Sequence, residues 1–311
     1  MILQSGLESQ IDNLVTLIGT TDIHNARSLN SLESVQIAYR SFIERLQKRT
    51  LDGEPGKVNI ICDAEKAKKL RPFFINDSLL DDKHQNEVIS SEEDGHTQEK
   101  SDLIHRARKQ IANLCPQHAA LFDTIITDIF ILPSSVAKGG STSQAIGVMW
   151  ANPHIDYSIN DVMEMLLHEF THHTLFIDEL RYSHYDYSAI TNKSTWARSA
   201  ILNISRPLDK VLHSVVVSME ILLLREHHIG HPAHPRVHPP TAVMLSQLVD
   251  AIVSIESVLF NETSIKRQFF RPRAMDVLHR VKQHLKYFEI PTSGESLFVE
   301  DSRSPIKPVA C

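Results

Sequence analysis

The longest apolar run in this chain is VLHSVVVSMEILLL, residues 211–224. It is too short to span a bilayer, which takes about 20 consecutive apolar residues, and it carries His213 and Glu220. The pattern predicts a buried helix over roughly 207–228, with Pro207 suited to its first turn. A helix this apolar needs a core around it, and 311 residues are enough to build one.

Helical patterns recur on both sides of that run. In residues 1–50, Ile11, Leu14, Leu17 and Ile18 fall at helical spacing. KVNIIC (57–62) reads as a short strand or a helix entry. Residues 76–102 are polar and acidic with few apolar anchors, which predicts a mobile excursion. Helices are expected over 103–114 and 117–128. After Gly139 and Gly140, STSQAIGVMWANPH (141–154) reads as one extended strand ended by Asn152-Pro153. Further helices are expected near 241–259 and 272–288, and the Pro- and Ser-rich tail 291–311 reads as loosely attached. The expected fold class is mainly α (α+β), with a small sheet beside a central helix. Three parts are expected: an N-terminal helical region, 1–102, that includes the acidic loop; a catalytic domain, 103–290; and the tail.

The central helix carries LLHEFTHHTLFIDEL, residues 166–180. Ser158 offers an N-cap, Asp161 completes a capping box, and the helix should run to about Asp178. Within it His168, Glu169 and His172 form HExxH. Residues four apart share one face of a helix, so His168 and His172 can aim two imidazoles at one metal ion. Glu169 stands beside them as the carboxylate that can handle a proton of a metal-bound group. His173 points about 100° away from His172 and reads as a residue behind the ligands or at the surface. The third ligand must come from elsewhere. His213 and Glu220 are the candidates, but they lie about two turns apart, so only one can serve. Glu220 would give a zinc peptidase, with Glu169 as general base. His213 would give three neutral imidazoles, which suit zinc and also iron.

The segment after the motif resembles a family of HExxH proteins found near peptide-modifying enzymes in bacteria. The matching pieces are His168, Glu169 and His172, then Arg206-Pro207-Leu208, then Val211-Leu212-His213, and the resemblance covers about residues 140–230. Where the family pattern has Pro after a Ser, this chain has Ser199-Ala200. The resemblance implies an iron(II)- and 2-oxoglutarate-dependent β-hydroxylase acting on an aliphatic carbon of an amino acid, free or within a peptide. It also implies His168, His172 and His213 as the iron ligands. The carboxylate of such a cosubstrate calls for a guanidinium that can grip it by two hydrogen bonds. Arg206 is the first choice and Arg198 the second. Glu169 has no obligatory role in an oxygenase. The strand at 141–152 would flank the site as an edge on which an extended peptide could dock. Trp150 and Asn152 are candidates for the pocket wall, although Trp150 reads first as core.

Composition narrows the alternatives. A net charge of -6 argues against a nucleic-acid partner, and clusters such as HRARKQ (105–110) and RPRAMDVLHR (271–280) read as solvated helix faces. Cys62, Cys115 and Cys311 are an odd set without close spacing. They predict no disulfide framework and no cysteine zinc site, and they fit a reducing compartment. The first residues lack a basic and apolar leader pattern, so a cytoplasmic protein without a membrane partner is expected. HHIGHPAHPRVHPP (227–240) holds five histidines and reads as an exposed loop with adventitious metal affinity, or as a lid over the site. A scaffold that binds peptide without turnover is the remaining alternative to the oxygenase and the zinc peptidase.

Overall fold

A computed structural model describes residues 6–21, 29–74, 89–90, 92, 94–260 and 269–288. In chain order it contains α1 (Gly6–Thr21), α2 (Leu32–Gln47), β1 (Asn59–Ile61), α3 (Ala64–Leu70), α4 (Thr97–Leu114) and α5 (Pro116–Ile125). Then follow β2 (Asp128–Ile131), β3 (Gly139–Ser141), β4 (Val148–Ala151), α6 (Ile159–Tyr182) and the short α7 (Tyr187–Ile190). The last elements are β5 (Ala197–Arg198), β6 (Ser205–Arg206), α8 (Leu208–Leu224), α9 (Thr241–Leu259) and α10 (Pro272–Leu285). The fold is mainly α with a small mixed sheet, as expected. The tail 291–311 and residues 76–88 of the acidic loop lie outside the described residues.

The apolar run becomes α8, and nearly every residue from Leu208 to Leu224 is buried. The helix lies between α6 on one side and α9 and α10 on the others. At Arg225–Ile229 it continues as a single π-helical turn before Gly230. By length and composition α9 passes as a membrane-crossing helix, but Met244, Leu248, Ala251, Ile252 and Ile255 on one of its faces are buried in the fold.

The HExxH helix, α6, runs 24 residues, about 36 Å. Its start follows from local chemistry. The Ser158 side chain accepts from the Asp161 N–H at 3.1 Å, and the Asp161 carboxylate accepts from the Ser158 N–H at 3.0 Å, which is the predicted capping box. The helix outlasts the predicted end by four residues, to Tyr182. Asp178, which looked like a stop, is instead fully buried and paired.

The sheet has strand order β1-β2-β4-β3. β1, β2 and β4 are parallel, while β3 runs antiparallel to β4 along the edge. This corrects the reading of 141–152 as one strand. The chain passes along β3, turns through Ser143–Ala145 and Gly147, and returns as β4. Gly147 makes the turn possible: its φ is +90°, and a Cβ there would stand 2.9 Å from the Ile125 carbonyl. The edge strand nearest the HExxH helix is therefore Gly139-Gly140-Ser141.

The acidic loop is also shorter than expected. α4 begins at Thr97, because the polar residues there have specific partners. Lys100 is buried, forms an ion pair with Asp94, and donates to Asn152 Oδ1 at 2.7 Å. Asn152 also donates to the Ser134 and Ala137 carbonyls, so it holds loops together rather than lining a pocket. Trp150 is 2% exposed and donates to the Leu132 carbonyl, which makes it core.

Candidate metal centre

α6 and α8 cross so that His172 meets His213 and, two turns back along α6, Glu164 meets Arg225. The His172 and His213 Nδ1 atoms are 3.0 Å apart and their rings are stacked. The His168 ring lies 5.0 Å from that of His172, centroid to centroid. The three predicted ligands thus gather in one place. His168 and His172 keep part of their surface exposed, whereas His213 is 7% exposed. Glu220, on the same helix as His213, is buried at 1% exposure, two turns further into α8.

A fourth imidazole joins them. His238 Nε2 stands 2.8 Å from His168 Nδ1, with the rings stacked. This corrects the reading of 227–240 as an exposed loop. His227, His231 and His234 are exposed, but His238 is 5% exposed. The end of the loop is strapped down by three bonds to the helices. Asp161 Oδ1 accepts from the Arg236 N–H at 2.9 Å, Glu164 Oε2 bonds His238 Nδ1 at 3.0 Å, and Arg225 donates to the Pro239 carbonyl at 2.8 Å. One signal for this was present in the sequence: Glu164, His168 and His172 are spaced four apart and share a helix face.

Burial dominates the electrostatics of the cluster. It pushes His168 down to about 3, and it holds His172 and His213 well below the ordinary imidazole range, with neighbouring positive charges adding to the effect. The rings are therefore neutral, which is the form that binds metal. Among the described residues, no group of three His, Cys, Asp or Glu side chains is arranged to hold a metal ion. The ring nitrogens instead bond in pairs, His168 with His238 and His172 with His213. One pair of these nitrogens nevertheless has the spacing of metal ligands. Two imidazole nitrogens bound at right angles to one ion at about 2.1 Å stand about 3 Å apart, the separation found between His172 and His213.

Glu169, next in the chain to His168, reaches the edge strand. Its Oε2 accepts from Ser141 Oγ at 2.7 Å, and a Cβ at Gly139 would come within 3.3 Å of its Oε1. Gly139 therefore lets the carboxylate approach the strand backbone. Burial raises Glu169 to about 7, with the Ser141 bond opposing. His173 is fully buried and accepts from the Gly147 N–H at 3.1 Å, so it braces the sheet turn and is not at the surface.

The arginines divide. Ala197 pairs with Arg206 and Arg198 with Ser205, so Arg206 and Arg198 project from opposite faces of the β5–β6 ribbon. The Arg206 charge acts on His213 and Asp209. Arg198 is exposed, with its N–H donating to Ser254. Lys210, which sequence reasoning missed, acts on both His172 and His213. No signal short of the helix crossing marks it.

The sequence matches no protein-family model and no curated protein.

Proposed function

We propose that this protein is a mononuclear non-haem iron oxygenase, dependent on 2-oxoglutarate, that oxidises an aliphatic carbon of an amino acid, free or within a peptide. The observation that carries the reading is the meeting of His213 with His172 at 3.0 Å. A third imidazole beside His172 supports the three-histidine reading over Glu220. His168, His172 and His213 would hold iron(II), which supplies the redox chemistry together with the keto acid. Arg206 and Lys210 put positive charge on the His213 side of the cluster, where a cosubstrate carboxylate would be drawn. Arg206 is preferred to Arg198 as its anchor. Among the described residues β3 is an edge strand, and its outer backbone groups would pair with an extended peptide beside Glu169.

One observation favours a second reading, a zinc hydrolase. A carboxyl group raised to about 7 is tuned for general-base work at neutral pH, and an oxygenase does not require it. The deciding experiment mixes metal-free protein with iron(II), 2-oxoglutarate and air and measures succinate, with His213→Ala as control. Succinate from the wild type and none from His213→Ala is expected. Metal loss on Glu220→Gln but not on His213→Ala would overturn the oxygenase and favour the peptidase with Glu220 as third ligand.

A further inference from the structure

Three buried groups and the half-buried His168 form a line from the strapped loop to the HExxH helix. Arg225 grips Glu164 with two bonds, Nε to Oε1 at 2.7 Å and Nη2 to Oε2 at 2.9 Å. Glu164 Oε2 bonds His238 Nδ1 at 3.0 Å, and His238 Nε2 bonds His168 Nδ1 at 2.8 Å. Arg225 is fully buried, Glu164 is 1% exposed and His238 is 5% exposed.

The order of acceptors assigns the protons. Glu164 is ionised, since it faces a guanidinium that cannot lose its charge. A carboxylate only accepts, so His238 Nδ1 carries a hydrogen and donates it. In a neutral imidazole the other nitrogen is then a bare lone pair. With His238 in that neutral form, its Nε2 accepts and His168 Nδ1 donates. That leaves the lone pair of His168 on Nε2 alone.

We infer that His238 is a positioning residue for the metal centre, relaying the Glu164 charge to His168 and fixing Nε2 of His168 as its ligating atom. A carboxylate behind a metal-bound histidine orients the ring and raises its basicity. Here the carboxylate acts through a second imidazole. The relay gives His238 a different role from the other histidines of its loop. It also gives a reason for the straps at Arg236 and Pro239, which hold His238 against α6. The inference rests on the reading of His168 as a metal ligand.

Two substitutions separate the two ends of the His238 ring. Asn at 238 can still donate to Glu164 from about the Nδ1 position, but it offers His168 no acceptor. Gln can place its carbonyl oxygen near the Nε2 position and restore that acceptor. The test titrates cobalt(II) into metal-free, full-length protein in competition with a chelator. His227, His231 and His234 are replaced by Asn throughout, to remove exposed loop sites. Unfolding temperature and circular dichroism of the metal-free proteins are measured in parallel. His238→Asn is expected to weaken cobalt(II) binding about 10- to 100-fold, with His238→Gln recovering most of the loss and the two variants melting alike. Equal affinities for His238→Asn, His238→Gln and the wild type, with His168→Ala abolishing binding, would overturn the relay and leave the metal centre standing. Unchanged binding in His168→Ala would overturn the metal centre itself. A cobalt spectrum reporting one fewer imidazole in both position-238 variants would also overturn the relay, by making His238 a ligand.

Discussion

Four carboxylates are buried along α6; Asp161 caps its start, and the other three are treated in two ways. Glu164 and Asp178 each receive a two-pronged guanidinium from another helix and an imidazole besides. Glu164 has Arg225 and His238. Asp178 has Arg273, with bonds of 2.8 and 2.7 Å, and His184 at 2.8 Å, and it also accepts from Asn13. Burial alone would raise both groups, yet these partners hold both below the ordinary carboxylate range. Glu169 is buried almost as deeply, but it has one serine hydroxyl as its partner and rises to about 7. The first two are anchors. Glu164 joins α6 to α8 and the 231–240 loop, and Asp178 joins α6 to α1 and α10. A carboxylate that the fold buries without neutralising costs stability, and it is the one beside the histidines and the edge strand.

The largest expected effect comes from cutting an anchor. Glu164→Ala leaves the fully buried Arg225 without its counter-charge and should cost about 3–5 kcal/mol in urea unfolding at pH 7. Asp178→Ala should follow closely, and somewhat less because the Arg273 side chain keeps 15% exposure. A loss below about 1 kcal/mol at either site would break the distinction between anchors and Glu169. Acid should reveal the same anchors. A carboxyl depressed in the folded state binds its proton more weakly there than in the unfolded chain. Its stabilisation is complete above the ordinary carboxylate pKa and drains as pH falls below about 4. The wild-type unfolding free energy should therefore drop across that window, and Asp178→Asn should flatten the slope. Parallel slopes would mean that Asp178 does not act as an anchor.

Features set by neighbouring residues were legible in the sequence. The capping box at Ser158 and Asp161, the helix over 241–259 and the buried helix around His213 all stand as read. Each depends on local hydrogen bonding or on an unbroken apolar pattern. What escaped depends on partners far along the chain. Lys100 is helical and buried because Asn152 reaches it, so the start of α4 looked like loop. His238 sits in a run of proline and histidine that looks solvated, and it is buried only because Glu164 and Arg225 wait for it. The turn through Gly147 hid inside a β-favouring stretch, since φ leaves no mark on composition. His168 and His172 were legible as a pair because the HExxH spacing is local, whereas His213 stood beside Glu220 as an open alternative. Their meeting depends on one helix crossing, which the apolar helix around His213 anticipates without specifying its angle. Lys210 enters the site through that angle alone.

The smallest expected effect is the sharpest test of the comparison. Glu169→Gln keeps the shape, can still bond Ser141, and removes a charge that the surroundings do not neutralise. In metal-free protein at pH 8 its stability should lie within about 1 kcal/mol of wild type, or above it, because the buried carboxylate lacks the counter-charge that makes such a loss expensive. Ser141→Ala should cost about 1 kcal/mol, the worth of one hydrogen bond. Against these, the activity found in the succinate or cleavage assay should separate the two chemistries. A general base is lost on Glu169→Gln, so hydrolysis would fall by about 10²-fold or more, whereas an oxygenase in which Glu169 only lines the edge strand would keep its rate constant and change its affinity for peptide. If Glu169→Gln instead unfolds the protein as Glu164→Ala does, then Glu169 is a third anchor, and its raised pKa reflects burial without function.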